Sequence, residues 1–231
     1  WKGMDIFIDF EGVESAYYLW INGEQVGYSE DSRLPAHFNI GRYLKKGTNR
    51  IAVKVFRYSD GSYLEDQDYW KYSGIERSVF ILARPKSRVN DFKLVASLCN
   101  KYKDGDFNLD LRLNQPSKGE TIEIKVLDKA GKTIYRQERA VNGAADSLVS
   151  FKQIFPKVKQ WNAETPYLYT LVVNSLDKQR RIKESFAHAF GFRCIELKNG
   201  QLLVNGQAIR IKGVNRHEHN ALTGRTITVE S

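Results

Sequence analysis

Ser15-Ala16-Tyr17-Tyr18-Leu19-Trp20-Ile21, then Asn22-Gly23, then Glu24-Gln25-Val26-Gly27-Tyr28, reads as two strands joined by a two-residue turn. Asn-Gly supplies the two positive φ angles of a type I′ turn, so the pair sets a hairpin register rather than only interrupting a pattern. Moving outward, Lys46-Gly47-Thr48-Asn49 makes a further turn into Arg50-Ile51-Ala52-Val53-Lys54-Val55-Phe56, whose apolar residues alternate. A long polar and aromatic loop at 58–74 follows. Arg77-Ser78-Val79-Phe80-Ile81-Leu82-Ala83 is a closing strand, and Arg84-Pro85-Lys86 a linker. Period two dominates and long helical periodicity is absent, which places the chain in the all-β class.

Beyond Val89 a second series of strands is expected near 91–98, 106–114, 120–128, 132–140, 147–154, 167–176 and 179–190. Turn residues such as Asp104-Gly105, Ser117-Lys118-Gly119 and Asn142-Gly143 separate them. That number of short strands over about a hundred residues is the count of an immunoglobulin-like sandwich, many of which have no disulfide. Two more Asn-Gly turns, Asn199-Gly200 and Asn205-Gly206, then predict a hairpin that runs into Ala208-Ile209-Arg210-Ile211-Lys212. Directly after this strand-like run stands Gly213-Val214-Asn215-Arg216-His217-Glu218-His219. An amide, a guanidinium, two imidazoles and a carboxylate at the C-terminal end of a strand match the place where barrel enzymes hold catalytic groups.

The 231 residues, 42% of them apolar, suffice for two sandwiches of ordinary size. No apolar run approaches a membrane span, and a start at Trp1-Lys2-Gly3 suggests a true N-terminus further upstream. The net charge of +9 invites a nucleic-acid reading. Lys and Arg are nevertheless scattered among Asp and Glu, with no basic stripe or recognition signature, so a charged solvated surface is the better account. Cys99 and Cys194 are the only cysteines and read as two unpaired, mostly buried thiols.

Four further motifs accompany the terminal one. They are Phe10-Glu11-Gly12-Val13-Glu14-Ser15-Ala16 with Leu19-Trp20-Ile21-Asn22-Gly23, Asp31-Ser32-Arg33-Leu34-Pro35, Ser59-Asp60-Gly61-Ser62-Tyr63-Leu64-Glu65-Asp66-Gln67-Asp68-Tyr69-Trp70 with Ser73-Gly74-Ile75, and Trp161-Asn162-Ala163-Glu164-Thr165-Pro166-Tyr167-Leu168-Tyr169. With Gly213–His219 they make the whole chain resemble glycoside hydrolase family 2, in particular its large bacterial β-galactosidases. The resemblance implies an all-β chain in three parts: the C-terminal part of a sugar-binding jelly roll over 1–85, an immunoglobulin-like sandwich over 86–190, and over 191–231 a hairpin and the first strand of a truncated (β/α)8 barrel. It also implies β-galactoside sugars as substrates, no nucleic-acid or membrane partner, a homo-oligomeric full enzyme, and sodium and magnesium as that enzyme's ions. Two positions depart from the pattern. Glu76 stands where an aromatic residue is usual, and Asn220-Ala221 where His-Pro often follows.

Site residues follow from the same likeness. His217 and His219, two apart on an extended segment, point the same way and invite a metal reading, but zinc needs a further ligand that the sequence does not nominate. By resemblance Arg216 supports active-site carboxylates and His219 donates to a sugar hydroxyl, with Asn215, His217 and Glu218 in support. In the Asp60–Trp70 loop, aromatic faces beside carboxylates suit a sugar, although such acids often only solvate a loop. The resemblance assigns the galactosyl subsite and a sodium ligand to Asp68 alone, other ligands coming from the missing barrel. His37 and His188 read as structural. Glycoside hydrolysis needs two carboxylates. Glu196 and Glu230 are not that pair, because the family's acid/base and nucleophile glutamates would lie beyond Ser231. Alternative readings are a β-glucuronidase or β-mannosidase of the same family, or a free-standing carbohydrate-binding module. The Asp68 loop together with Asn215-Arg216-His217-Glu218-His219 favours the galactosidase, and a terminal barrel strand argues against a finished module.

Overall fold

The computed structural model describes residues 1–65, 68–224, 227, 228 and 230. The chain divides into two compact units, one of residues 1–84 with 213–231, the other of residues 85–212. Packing therefore splits the segment after the sandwich. Its hairpin belongs to the second unit and the polar motif at 213–219 to the first.

In the first unit the strands are β1 Met4–Phe10, β2 Val13–Glu14, β3 Ala16–Ile21, β4 Glu24–Glu30, β5 Ala36–Asn39, β6 Ile51–Phe56, β7 Gly74–Ile75 and β8 Val79–Pro85, with one helical turn, α1 Gly61–Leu64, before β7. They form sheets of order β4-β3-β6, β5-β1-β8 and β2-β7. Asn22 and Gly23 take φ of 54° and 88°, the signs that the hairpin turn requires. Asn22 also ties the next turn into the same sheet, donating to Tyr43 O and Asn49 Oδ1, both at 2.8 Å. Alternation along β3 buries Tyr17, Leu19 and Ile21, which pack with Ile8 and Phe10 of β1. Each such side chain contributes about 1.5–3 kcal/mol when fully removed from water.

β1 and β5 were not legible in the sequence. Asp9 interrupts the apolar pattern of β1 yet is buried at 1% exposure, where His37, its register partner on β5, contacts its carboxylate. His37, read as structural, thus has a buried partner. β8 runs on through Arg84 and Pro85, so the expected linker begins inside a strand.

The second unit holds β9 Arg88–Cys99, β10 Asp104–Asn114, β11 Thr121–Leu127, β12 Thr133–Ala140, β13 Leu148–Phe155, β14 Tyr169–Leu176 and β15 Ile182–Phe190. These are the seven strands expected of the sandwich. Sheets of order β13-β10-β9 and β12-β11-β14-β15 enclose one core. Phe107, Leu109 and Leu111 of β10 meet Ile122, Ile124 and Val126 of β11 there, which is the alternation of two inward faces. On the opposite face of β11, Glu123 is buried but satisfied. Asn174 donates to it at 2.7 Å and Arg136 Nε at 2.6 Å, and these bonds outweigh its burial to keep the carboxyl below its usual range.

β16 Ile195–Lys198, β17 Gln201–Val204 and β18 Gln207–Ala208 complete the unit through both Asn-Gly turns. The strand expected over 208–212 extends only to Ala208, with one further bond from Ile209 N to Leu202 O at 3.0 Å. A parallel barrel strand takes its bonds from neighbours on both sides, and no described strand flanks 209–212. Cys99 and Cys194 are unpaired as expected, but both are partly exposed rather than buried. No helix among the described residues is long and apolar enough to cross a membrane.

Candidate functional site

The loop between β6 and β7 is anchored by acids that the sequence could not assign. Glu30 Oε1 accepts the Gly61 N–H at 2.9 Å at the start of α1, and Glu65 Oε2 accepts the Ser32 N–H at 3.4 Å. Tyr28 donates to Glu30 at 2.6 Å, and this bond, with that from the Gly61 amide, holds the Glu30 carboxyl down to about 2. The same bond pushes the Tyr28 hydroxyl up to about 12. In Asp31-Ser32-Arg33-Leu34, Asp31 Oδ1 accepts the amides of Arg33 and Leu34, both at 3.0 Å, folding the motif into an Asx turn. The loop closes where β2 pairs with β7 and the Glu76 N–H reaches Gly12 O at 3.1 Å. Glu76 sits between the charges of Arg33 and Arg77, with burial raising its carboxyl above the usual range.

Past this anchored base the chain presents Tyr69 and Trp70, directly after Asp68, to the segment 213–224. The Tyr69 ring stacks on His217 at 4.3 Å and 6°, and its hydroxyl donates to the Glu218 carbonyl. Trp70 stacks on Tyr69 at 5.4 Å and 17° and meets His219 edge-on at 5.8 Å and 77°. His219 Nδ1 lies 3.5 Å from His217 O. Arg216 Nε lies 3.7 Å from Glu218 Oε1, both side chains largely exposed. A small loop closes the segment. Asn220 and Gly224 exchange backbone bonds of 2.6 and 2.9 Å, Asn220 Oδ1 accepts the Leu222 amide at 2.8 Å, and Gly224, at φ 68°, leaves room for Tyr72. The rings also edge a shallow cleft lined by Glu14, Arg33, Arg57 and Tyr58.

Two remote stretches singled out in the sequence therefore meet in one surface. Asp68, Arg216 and His219 are each exposed. Asp60 lies back at Glu30, and Asp66 falls outside the described residues. What sequence reasoning missed is the part played by Tyr69 and Trp70. Their only signal was an aromatic pair directly after Asp68. His188 meets Phe92 edge-on at 5.1 Å in the second unit. Glu196 accepts the Tyr102 hydroxyl at 2.6 Å, a structural bond. No group of three or more His, Cys, Asp or Glu side chains able to hold a metal ion occurs among the described residues. Among the described residues the His217 and His219 pair gains no third ligand of those types, and Asp68 by itself offers one carboxylate where a cation needs several oxygens.

Three models of one family match this chain in succession. The glycosyl hydrolases family 2 sugar binding domain matches residues 1–85, the domain described simply as glycosyl hydrolases family 2 residues 87–193, and the family's TIM barrel domain residues 195–231. The chain belongs to glycosyl hydrolase family 2. A β-galactosidase of Pseudoalteromonas haloplanktis is 44% identical over 230 residues, covering 96% of this chain and 22% of its own length. One from Priestia megaterium is 40% identical over 231 residues, covering 97% of this chain and 22% of its own length. The chain thus spans about a fifth of the length of these curated relatives. Among solved structures, the Parabacteroides merdae β-glucuronidase is similar with a TM-score of 0.85 at 19% identity, covering 100% of this chain and 30% of its own, a likeness of fold alone. The chain is accordingly an all-β piece of the family's architecture: sugar-binding jelly roll, immunoglobulin-like sandwich and the start of the barrel.

Proposed function

We propose that this chain is part of a retaining exo-β-galactosidase that removes terminal β-galactosides, and that it supplies scaffold and sugar-subsite residues but neither catalytic carboxylate. The observation that carries this reading is the meeting of the Asp68 loop with Arg216–His219. Its chemistry suits a sugar: rings offer faces to C–H surfaces, while Asp68 accepts from hydroxyls and His219 donates to one. A carboxylate beside fixed donors orients a galactosyl hydroxyl better than an amide would, because charge-assisted bonds are the stronger ones. Arg216 holds a carboxylate of the barrel in place. Two glutamates outside this chain then do the bond chemistry, one protonating the leaving oxygen, the other attacking the anomeric carbon to form a glycosyl-enzyme that water resolves.

Asp68 would also give one oxygen to a sodium ion whose remaining ligands come from elsewhere in the enzyme; a hard cation there supplies coordination for sugar hydroxyls. Magnesium belongs to the enzyme without a ligand in this chain, and the enzyme is a homo-oligomer. Purified full-length protein should hydrolyse a nitrophenyl β-galactoside far faster than the β-glucuronide or β-mannoside. Preference for either of the other two would overturn the galactosidase reading. Saturable galactose binding by the 231-residue chain alone would favour a free-standing binding module instead.

A further inference from the structure

The segment 213–219 has no β-ladder of its own among the described residues, so backbone pairing does not fix where its side chains point. Among the contacts that hold it, those of Tyr69 reach two of its groups. Tyr69 stacks on His217 and, through its hydroxyl, binds the carbonyl of the next residue, Glu218. These contacts act on two different groups of the segment, a side-chain ring and a backbone carbonyl. Stacking fixes the plane of the imidazole but leaves both ring nitrogens at the edge, because the contact uses only π faces. Tyr69 is itself braced, with Trp70 on its ring and burial, its largest influence, raising its hydroxyl above the ordinary range. That favours the protonated donor. Tyr69 also directly follows Asp68, so whatever locks Tyr69 limits where the Asp68 carboxylate can reach.

From this we propose that Tyr69 is a positioning residue of the sugar subsite, a clamp that holds the Asp68 loop and the Arg216–His219 segment in register with each other. This rests on the galactosidase reading for its catalytic consequence, but the clamp itself can be read without activity. A displacement of about 1 Å at a reacting centre costs on the order of a hundredfold in rate, so loss of the clamp is felt even though Tyr69 touches no reacting atom.

The test uses Tyr69→Leu, which removes stack and hydroxyl, and Tyr69→Phe, which keeps the stack. In the 231-residue chain, trypsin cleavage after Lys212 and Arg216 should accelerate roughly tenfold in Tyr69→Leu and less in Tyr69→Phe, at unchanged thermal midpoint; a tenfold change corresponds to about 1.4 kcal/mol of local opening. The His217 ring protons should lose the upfield ring-current shift in Tyr69→Leu and keep it in Tyr69→Phe. In the full-length enzyme, Tyr69→Leu should raise KM for the galactoside and weaken galactose-like inhibitors by roughly tenfold or more, with Tyr69→Phe recovering most of the loss. Unchanged cleavage and ring-proton shifts in Tyr69→Leu would overturn the clamp. Altered cleavage with wild-type KM would overturn its role in the subsite. A wild-type enzyme without galactosidase activity would instead sink the galactosidase reading, while the cleavage result still decided the clamp.

Discussion

Truncating His219 to Ala removes a ring that meets Trp70 edge-on and, in the proposed subsite, a donor to a sugar hydroxyl. In the full-length enzyme kcat/KM should fall by on the order of 2–4 kcal/mol, the scale of other oriented donors, with little change in thermal midpoint. Wild-type kinetics would leave His219 a purely structural ring. Asp68→Asn should weaken galactose and its transition-state mimics and blunt any sodium dependence, whereas Asp60→Asn should do much less, since Asp60 lies at Glu30. Equal effects from both would reduce the loop to a generally acidic one. Glu30 makes a separate, pH-dependent prediction. Its carboxyl is held from 4.5 down to about 2 by the Tyr28 hydroxyl first and by the Gly61 amide. A carboxyl depressed in the folded state contributes stability that is present above its unfolded value and is lost as pH falls through the folded one. Urea denaturation should therefore show Glu30→Gln less stable than wild type above pH 4.5, the two converging as pH falls toward about 2. A difference that did not shrink on acidification would contradict the assigned bond.

At the scale of elements, the two late Asn-Gly turns form a natural comparison. Gly200 and Gly206 have φ of 72° and 75°, so both resist a side chain equally on backbone grounds. They differ in surroundings. An added Cβ meets nothing within 4 Å at Gly200 but would lie 2.6 Å from the Tyr102 ring at Gly206. Asn205 in the same turn bonds Trp161 O at 3.0 Å and the Cys194 N–H at 2.9 Å, so the β17–β18 turn is fastened to the sandwich while the β16–β17 turn is not. Gly200→Ala should cost about 1 kcal/mol from strain alone, and Gly206→Ala 1–3 kcal/mol more from overpacking. Thermal unfolding of the two variants checks this, and equal losses would mean that Tyr102 simply yields. The same local chemistry is why these hairpins could be read directly from the sequence. β1 could not, because Asp9 looks like a surface residue until His37 is brought to it across two strands.

For the whole molecule, β8 is an edge strand whose Val79, Phe80, Ile81 and Leu82 are each more than 40% exposed. An apolar edge of this kind is a template for pairing. The 231-residue chain should therefore self-associate with concentration in sedimentation velocity, and Ile81→Lys should suppress it. A monomer at all concentrations would show that the edge is already protected. The chain alone should also show no turnover of a nitrophenyl β-galactoside, since acid and covalent catalysis are both missing from it in the proposed mechanism. Activity that survived a contamination control would contradict that assignment of roles.

Turns and strand faces were determined by the sequence itself. Asn22-Gly23 and Asn205-Gly206 dictate positive φ, and alternation along β3, β10 and β11 dictates which side chains point inward, both within a few residues of chain. Period two says nothing about which strand lies beside which, so the orders β5-β1-β8 and β12-β11-β14-β15 emerged only from tertiary structure. The two stretches that form the candidate site were legible as separate motifs, since the Asp68 loop and Arg216–His219 stand in recognisable runs. Their meeting was not. Tyr69 and Glu218 lie 149 positions apart, and the ring stack and hydrogen bond that join their loops depend on long-range closure that no local pattern encodes.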